Sequence, residues 1–371
     1  MDAGSGYLRA MKTKALTLLK ELTEAHSVPG HEDEVRAVFC DELGALGEIS
    51  ADRMGSVFCT FEGNGPRVMI AGHMDEVGFM VQGITPDGFL QFLPLGGWWE
   101  HNLLSQRVEI LTRGGAKVPG VIASKPPHFL AAAQRREVMS IEQMFIDVGA
   151  GSRAEVERGL GISLGDPVAP SVPFTAMGVE GRFLAKAFDN RVGMAAAIQA
   201  GQILSSDEGP RGNQLVICGT VQEEMGTRGA RTAANHAKPD VVIVLEGPPA
   251  DDVPGYPRFE CQGRLGGGAQ IRMYDPSAIG NPRLANLAIE TASDAGIPHQ
   301  VAVRRSGGTD AAAFHLANEG IPCVVLGTPA RYIHSHNAII DIDDHLALVA
   351  LTVELTKRLD QRVVENLTRF F

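Results

Sequence analysis

The chain is poor in the residues that mark several functional classes. Two Trp and four Tyr among 371 residues are a thin inventory for stacking sugars. The cysteines, Cys40, Cys59, Cys218, Cys261 and Cys323, are odd in number and scattered, with no CxxC. That pattern excludes a disulfide framework and a thiolate-bound structural zinc, and fits reduced core thiols of a cytoplasmic protein. No apolar run approaches the roughly 18 residues of a membrane span, and the charged, amphipathic N-terminus is no signal peptide. Positive charge is short as well. Against 44 Asp and Glu stand 33 Lys and Arg, a formal charge of −11, without the clustered basic surface that nucleic acid or an anionic membrane demands.

What is present falls into two textures. The length exceeds one ordinary core and suggests two domains. Amphipathic helices are expected over residues 8–25 and 31–43, with a continuous apolar strand over 66–71. From about Gly78 to Ala176 glycine and proline become dense, and short alternating strands (108–112, 120–123, 144–148) predict an all-β insert, a small barrel or sandwich with no obvious chemistry of its own. One short helix is expected within it, near residues 152–158. Strands over 214–221, 240–245, 269–274, 299–304 and 321–327 then alternate with helices over 189–204, 227–237, 282–295, 309–318 and from His345, with Thr227 as a helix N-cap. The fold class is α/β: a mostly parallel sheet flanked by helices, built from residues 1–77 and 177–371, with the β domain of 78–176 inserted.

The metal-capable side chains gather where these elements end. His73 follows the first long strand, with Asp75 two residues on, and Asp189 starts a helix. Glu223 and Glu224 follow the strand over 214–221, Glu246 ends the next, and His334 lies in the loop after 321–327. In open α/β sheets, ligands bind at the carboxyl ends of strands. Taken singly, each histidine is as readily a hydrogen-bonded surface residue, and Asp189 as readily an N-cap. His336 and His345 compete with His334, and spacing does not separate the first two.

Together, His73, Asp189, Glu224, Glu246 and His334 offer two imidazoles and three carboxylates. That mixture suits a pair of zinc, cobalt or manganese ions better than calcium. Three carboxylates leave about +1 of the +4, which a bridging hydroxide nearly cancels, and a carboxylate at a helix start is placed to bridge. Glu223 is left over as a general base. Asp75 fits as the carboxylate that accepts the other ring N–H of His73.

Three rival readings remain on residues alone. A deacylase or carboxypeptidase on a similar two-metal site needs a cationic pocket for the substrate carboxylate. A metal-free glycosidase uses two carboxylates, with Trp98 and Trp99 as a sugar platform. The third is a non-catalytic scaffold.

Six ordered motifs, AGHMDEVGFMV (71–81), AKAFDNRVG (185–193), QEEMGTRGA (222–230), LEGPPADDVPG (245–255), SGGTDAAAFH (306–315) and RYIHSHN (331–337), resemble the dinuclear metallo-aminopeptidases of peptidase family M forty-two, the glutamyl and tetrahedral aminopeptidases. GGWW (96–99) and GVIASKPPH (120–128) extend the resemblance into the insert. The resemblance implies the co-catalytic zinc peptidase fold and two divalent ions bridged by Asp189. His73 and Glu246 would complete one site, Glu224 and His334 the other, with Glu223 as base and Asp75 orienting His73. In RYIHSHN the family's histidine precedes a serine, which selects His334. It further implies a cis Asp189–Asn190 peptide, short peptide substrates with a free N-terminus, and a homo-oligomer, a dimer or a tetrahedral dodecamer, assembled through the β insert. Two positions depart from the pattern. Glu246 stands where many relatives carry Asp, and Gly266-Gly267-Gly268-Ala269, a segment near the substrate side chain in relatives, replaces an entry that usually ends Gly-Pro.

Overall fold

The computed structural model describes residues 3–206 and 212–371. Its centre is a mixed nine-stranded sheet. Four strands at its heart, Gln214–Thr220, Arg67–His73, Val241–Glu246 and Cys323–Gly327, lie side by side in that order and run parallel. Antiparallel pairs flank them. Val57–Thr60 and its hairpin partner Glu48–Ala51 extend one side, while Ala269–Asp275 begins the other and pairs onward with Ala278–Ile279 and His299–Val303.

Both faces of this sheet are covered, which is why its central strands read as unbroken apolar runs. Side chains alternate between faces. Val68, Ile70, Leu215, Ile217, Ile243 and Leu245 pack under the helices Ala3–Glu24, Phe188–Ser206, Pro282–Asp294 and Ile342–Arg358. Met69, Ala71, Val216, Cys218, Val242 and Val244 pack against Arg228–Ala237 and the single turn Ala311–Phe314. At roughly 1.5–3 kcal/mol for each fully buried Val, Leu or Ile, a one-residue slip of a central strand would exchange its two sets of neighbours, so the register is firmly held.

Six strands between Gly78 and Pro170 close into a barrel filled by Phe79, Val81, Phe92, Val108, Ile110, Ile122, Ile146 and Val168. Thr175–Ala176 is outside it. This strand joins Arg182–Ala185, Ala338–Asp341 and Ala330–Arg331 in a small four-stranded sheet, whose short strands carry no sequence periodicity to announce them.

Some helix ends differ from expectation. The helix expected over 309–318 shrinks to Ala311–Phe314, the last long helix begins at Ile342 and is followed by Gln361–Leu367, and the short helix expected near 152–158 is a π-type helix over Glu155–Leu160. Thr227 precedes the helix Arg228–Ala237 but makes no side-chain cap bond. Its φ of +52° is left-handed, and its amide is taken by the Glu223 carbonyl at 2.8 Å. The peptide between Asp189 and Asn190 is cis.

Candidate metal centre

Because the central strands are parallel, their carboxyl ends meet at one edge of the sheet. His73 closes its strand opposite Thr220, and Glu246 closes the next opposite Gly327. The turn after Thr220 brings up Glu223 and Glu224, and Asp189 arrives from the non-helical first residues of Phe188–Ser206. His334 comes from the loop after the strand Ala330–Arg331.

Two sets of three potential ligands share one carboxylate. His73, Asp189 and Glu246 form one set, Asp189, Glu224 and His334 the other, each with ligand atoms within 4.8 Å of one another. Nε2 of His73 is 3.2 Å from Oδ1 of Asp189 and 3.7 Å from Oε2 of Glu246. On the far side Nε2 of His334 is 3.4 Å from Oδ2 of Asp189 and 3.5 Å from Oε1 of Glu224. Donor atoms about 2.0–2.2 Å from one tetrahedral ion stand roughly 3.4 Å apart, so both clusters have the spacing of ligands around a small dication. A third set, His73 with Glu223 and Glu224, overlaps the first two, and Glu223 Oε2 is 3.9 Å from the His73 ring.

Both imidazoles are oriented from behind. Nδ1 of His73 lies 3.0 Å from the carbonyl of Asp75, and Nδ1 of His334 lies 2.8 Å from the carbonyl of Gly97. A carbonyl only accepts, so each ring donates from Nδ1, which leaves Nε2 facing the carboxylates of the centre. The partner of His334 comes from the barrel segment, which the sequence left without chemistry.

Asp75 has a different arrangement from the one expected. Its carboxylate stands 3.5 Å from the His73 ring, farther than its own carbonyl. Its two oxygens instead accept the amides of Glu223 and Glu224, both at 3.0 Å. One buried carboxylate thus fixes the backbone that carries both glutamates.

Electrostatics test whether cations fit. Burial raises Glu223 and Glu246 well above the usual carboxylate range and Glu224 to about 7, with neighbouring carboxylates adding to each rise. Burial alone would lower the histidines, but Asp189 and the glutamates override it, taking His334 to about 10 and His73 well above 6.5. Asp189, against its burial, is lowered by hydrogen bonds from those two rings. Left to itself the cluster holds protons because so many carboxylates crowd one dry place. Oε1 of Glu224 and Oε1 of Glu246 are buried without a hydrogen-bond partner among the described residues. Divalent cations answer both features, and the residues fit them.

Of the competing histidines, neither joins these sets. His336 is buried against Trp98, and burial lowers it to about 4. His345 is buried under the sheet with Nε2 2.8 Å from Gln199. Residues that went unread support the centre from behind. Arg191 is buried and donates to the carbonyls of Met74 and Asp75 and, at 3.0 Å, to Glu76, which also pairs with Lys186 at 2.5 Å. Asp310, buried and raised to about 6 by that burial, accepts from Thr220 at 2.5 Å. All five lie in or beside the ordered motifs, the only signal that could have found them. The segment Gly266–Ala269 does not line the cavity at the centre; the amides of Gly266 and Gly268 donate to Asp344.

Comparisons with known proteins place the chain in a family. A family model described as M42 glutamyl aminopeptidase matches residues 55–351, and a shorter one, AMPT, matches residues 13–39. The glutamyl aminopeptidase of Lactococcus lactis is 37% identical over 94% of this chain and 97% of its own length. The lysyl aminopeptidase of Pyrococcus furiosus is 32% identical over 92% and 98%. Among solved structures, a TET aminopeptidase from a marine sediment Thaumarchaeota archaeon superposes with a TM-score of 0.93 at 40% identity, covering 96% of this chain and 99% of that one. With a family model spanning most of its length and full-length relatives above 30% identity, the chain belongs to the M42 glutamyl aminopeptidase family and is a metal-dependent aminopeptidase.

Proposed function

We propose that this aminopeptidase releases N-terminal residues from short peptides at a pair of divalent cations, zinc, cobalt or manganese, joined by Asp189. His73 and Glu246 complete one cation's ligands, Glu224 and His334 the other's. The observation that carries this reading is the division of one carboxylate between two clusters, Oδ1 of Asp189 turned to His73 and Oδ2 to His334. Bound there, the cations supply Lewis acidity to the scissile carbonyl and make water a competent nucleophile near neutral pH. Glu223 takes the proton from the attacking water and returns it to the leaving amine, a task suited to a buried carboxylate that completes neither cation's set. Asp75, through the two amides it accepts, keeps Glu223 and Glu224 at fixed heights over the same spot.

The barrel of the 78–176 insert we read as a dimerisation and assembly element of a homo-oligomer. Leu93, Trp99, Val121, Phe129 and Val138, all within that insert, are exposed, and burying them is the favourable term an interface needs. A reducing, cytoplasmic setting is supported by five cysteines that are all free thiols. Among the described residues no helix is long and apolar enough to cross a membrane.

The test is metal-stripped protein refilled with zinc, cobalt or manganese and assayed on matched peptides with free and acetylated N-termini. Activity should return with metal and only on the free amine. Full turnover without metal would sink the two-cation centre, and equal cleavage of the acetylated peptide would sink the N-terminal specificity.

A further inference from the structure

Four of the candidate ligands stand on the core. His73 and Glu246 close central strands, Asp189 stands at the head of a helix, and Glu224 sits in a turn held by Asp75. Their side chains are at most 14% exposed. His334 is different, because it comes from a loop and its side chain is 37% exposed. Tyr332 and His334 both hold a left-handed φ, +60° and +56°, which residues with side chains keep only where their surroundings enforce it. The bond to the Gly97 carbonyl orients the ring, but it leaves the backbone of this loop unaccounted for.

That backbone is anchored through the segment that follows Glu246. The carbonyl of Pro248 accepts the Ala330 amide at 2.9 Å and the Ala250 amide donates to the Ala330 carbonyl at 2.8 Å, so Pro249 and Ala330 form a parallel bridge. Just beyond the bridge, Nε and Nη2 of Arg331 donate to Oδ1 and Oδ2 of Asp252 at 2.7 and 2.6 Å. A fork of this kind fixes orientation as well as distance. The Leu265 amide, 3.1 Å from Oδ2, holds Asp252 from the other side. The bond to Asp252 raises Arg331, and the same fork lowers Asp252 against the effect of its burial, so both groups stay charged.

The result is a clasp between two ligand-bearing stretches, one running from Glu246 to Asp252 and the other from Arg331 to His334. With Arg331 31% and Asp252 17% exposed, such a pair adds little to global stability; what it fixes is where the loop lies. Glu246 has no need of it, since the strand Val241–Glu246 is paired on both sides.

We propose that Asp252 and Arg331 are positioning residues for His334, and that their pair sets the affinity of the cation held by Glu224 and His334 while leaving the cation of His73 and Glu246 undisturbed. The inference rests on the two-cation reading and names the residues on which one of its two sites depends.

The experiment adds zinc to metal-stripped protein against a competing chromophoric chelator and reads the stepwise Kd values. It compares the wild type with His334→Ala, Asp252→Asn, Arg331→Lys and the double variant of Asp252→Asn with His334→Ala. His334→Ala identifies the step that belongs to the site of Glu224 and His334. Asp252→Asn should weaken that step by about 10-fold, the lower end of the effect of groups that position a ligand. The other Kd and the Tm of the metal-free protein should stay near their wild-type values. Arg331→Lys keeps the charge and loses the fork, so it should shift the same step by less; should Asp252→Asn not fold, this variant decides. On the His334→Ala background Asp252→Asn should change nothing further, an outcome that a general loosening of the fold does not produce. Equal loss at both steps, or both Kd values unmoved in Asp252→Asn and Arg331→Lys, overturns the assignment. A wild type that binds a single ion or none overturns the two-cation reading itself, and this inference with it.

Discussion

In the proposed mechanism Glu223 and Glu224, neighbours in the chain, take different tasks, and Asp75 is what would allow it. Both lie in the turn that follows the strand Gln214–Thr220, and the amide bonds at 3.0 Å to Asp75 hold this pair where one carboxylate meets His334 and the other stays beside His73. Glu223→Gln keeps the shape and removes the proton acceptor. Its kcat should fall by about 10²–10⁴-fold, while elemental analysis finds the wild-type metal content. Near-normal turnover would remove Glu223 from the proton transfer. The ligand residue types and the leftover glutamate were legible from their positions at strand ends. The amide bonds of Asp75 were not, because they join residues 148 and 149 positions apart.

At the scale of elements, the site depends on how closely the helix Phe188–Ser206 lies on the sheet. Gly193 makes that approach. A Cβ there would stand 2.5 Å from the carbonyl of Leu245 and 2.2 Å from Oδ1 of Asn190. Gly72 faces it from the neighbouring strand, and a Cβ on Gly72 would lie 3.1 Å from the Gly193 carbonyl carbon. Asn190 clasps the same contact, donating to the Leu245 carbonyl at 2.8 Å and accepting the Gly193 amide at 2.9 Å. The glycines therefore set the distance between Asp189 on the helix and His73 and Glu246 on the strands. Gly193→Ala should push the helix outward and weaken metal affinity by about 10–100-fold, the usual effect of disturbing what positions a ligand, as read by titration with a competing chelator. Unchanged affinity would show that the helix position does not govern the centre. The sequence shows Gly193 as the last residue of the motif AKAFDNRVG; its role needs the strand it presses on.

For the whole molecule, stability should depend on pH through histidines folded in their neutral form. Burial lowers His26 to about 3 and His345 to about 4. A depressed folded value means the contribution is present above the unfolded value near 6.5 and is lost as pH falls through that value towards the folded one. For His345, with a side chain fully buried beneath the sheet, the loss by pH 4 is about 3 kcal/mol. Raised carboxyls such as Glu32, lifted to about 7 by burial, act in the opposite direction, so the comparison must be differential. Between pH 7 and 4, Tm of His345→Gln should drop by several degrees less than that of the wild type. Parallel Tm profiles would mean His345 is not neutral in the fold.

The sequence by itself determined the α/β class, the β insert and the residue types at the strand ends, because hydrophobic period and strand-end chemistry are local properties written along the chain. It hid the antiparallel pairing of Ala269–Asp275 with Cys323–Gly327 and the four-stranded sheet, and gave no sign that Gly97 reaches the site. Those were decided only by tertiary structure. The distance between two side chains far apart in sequence depends on packing of the whole core, and no segment carries that information alone.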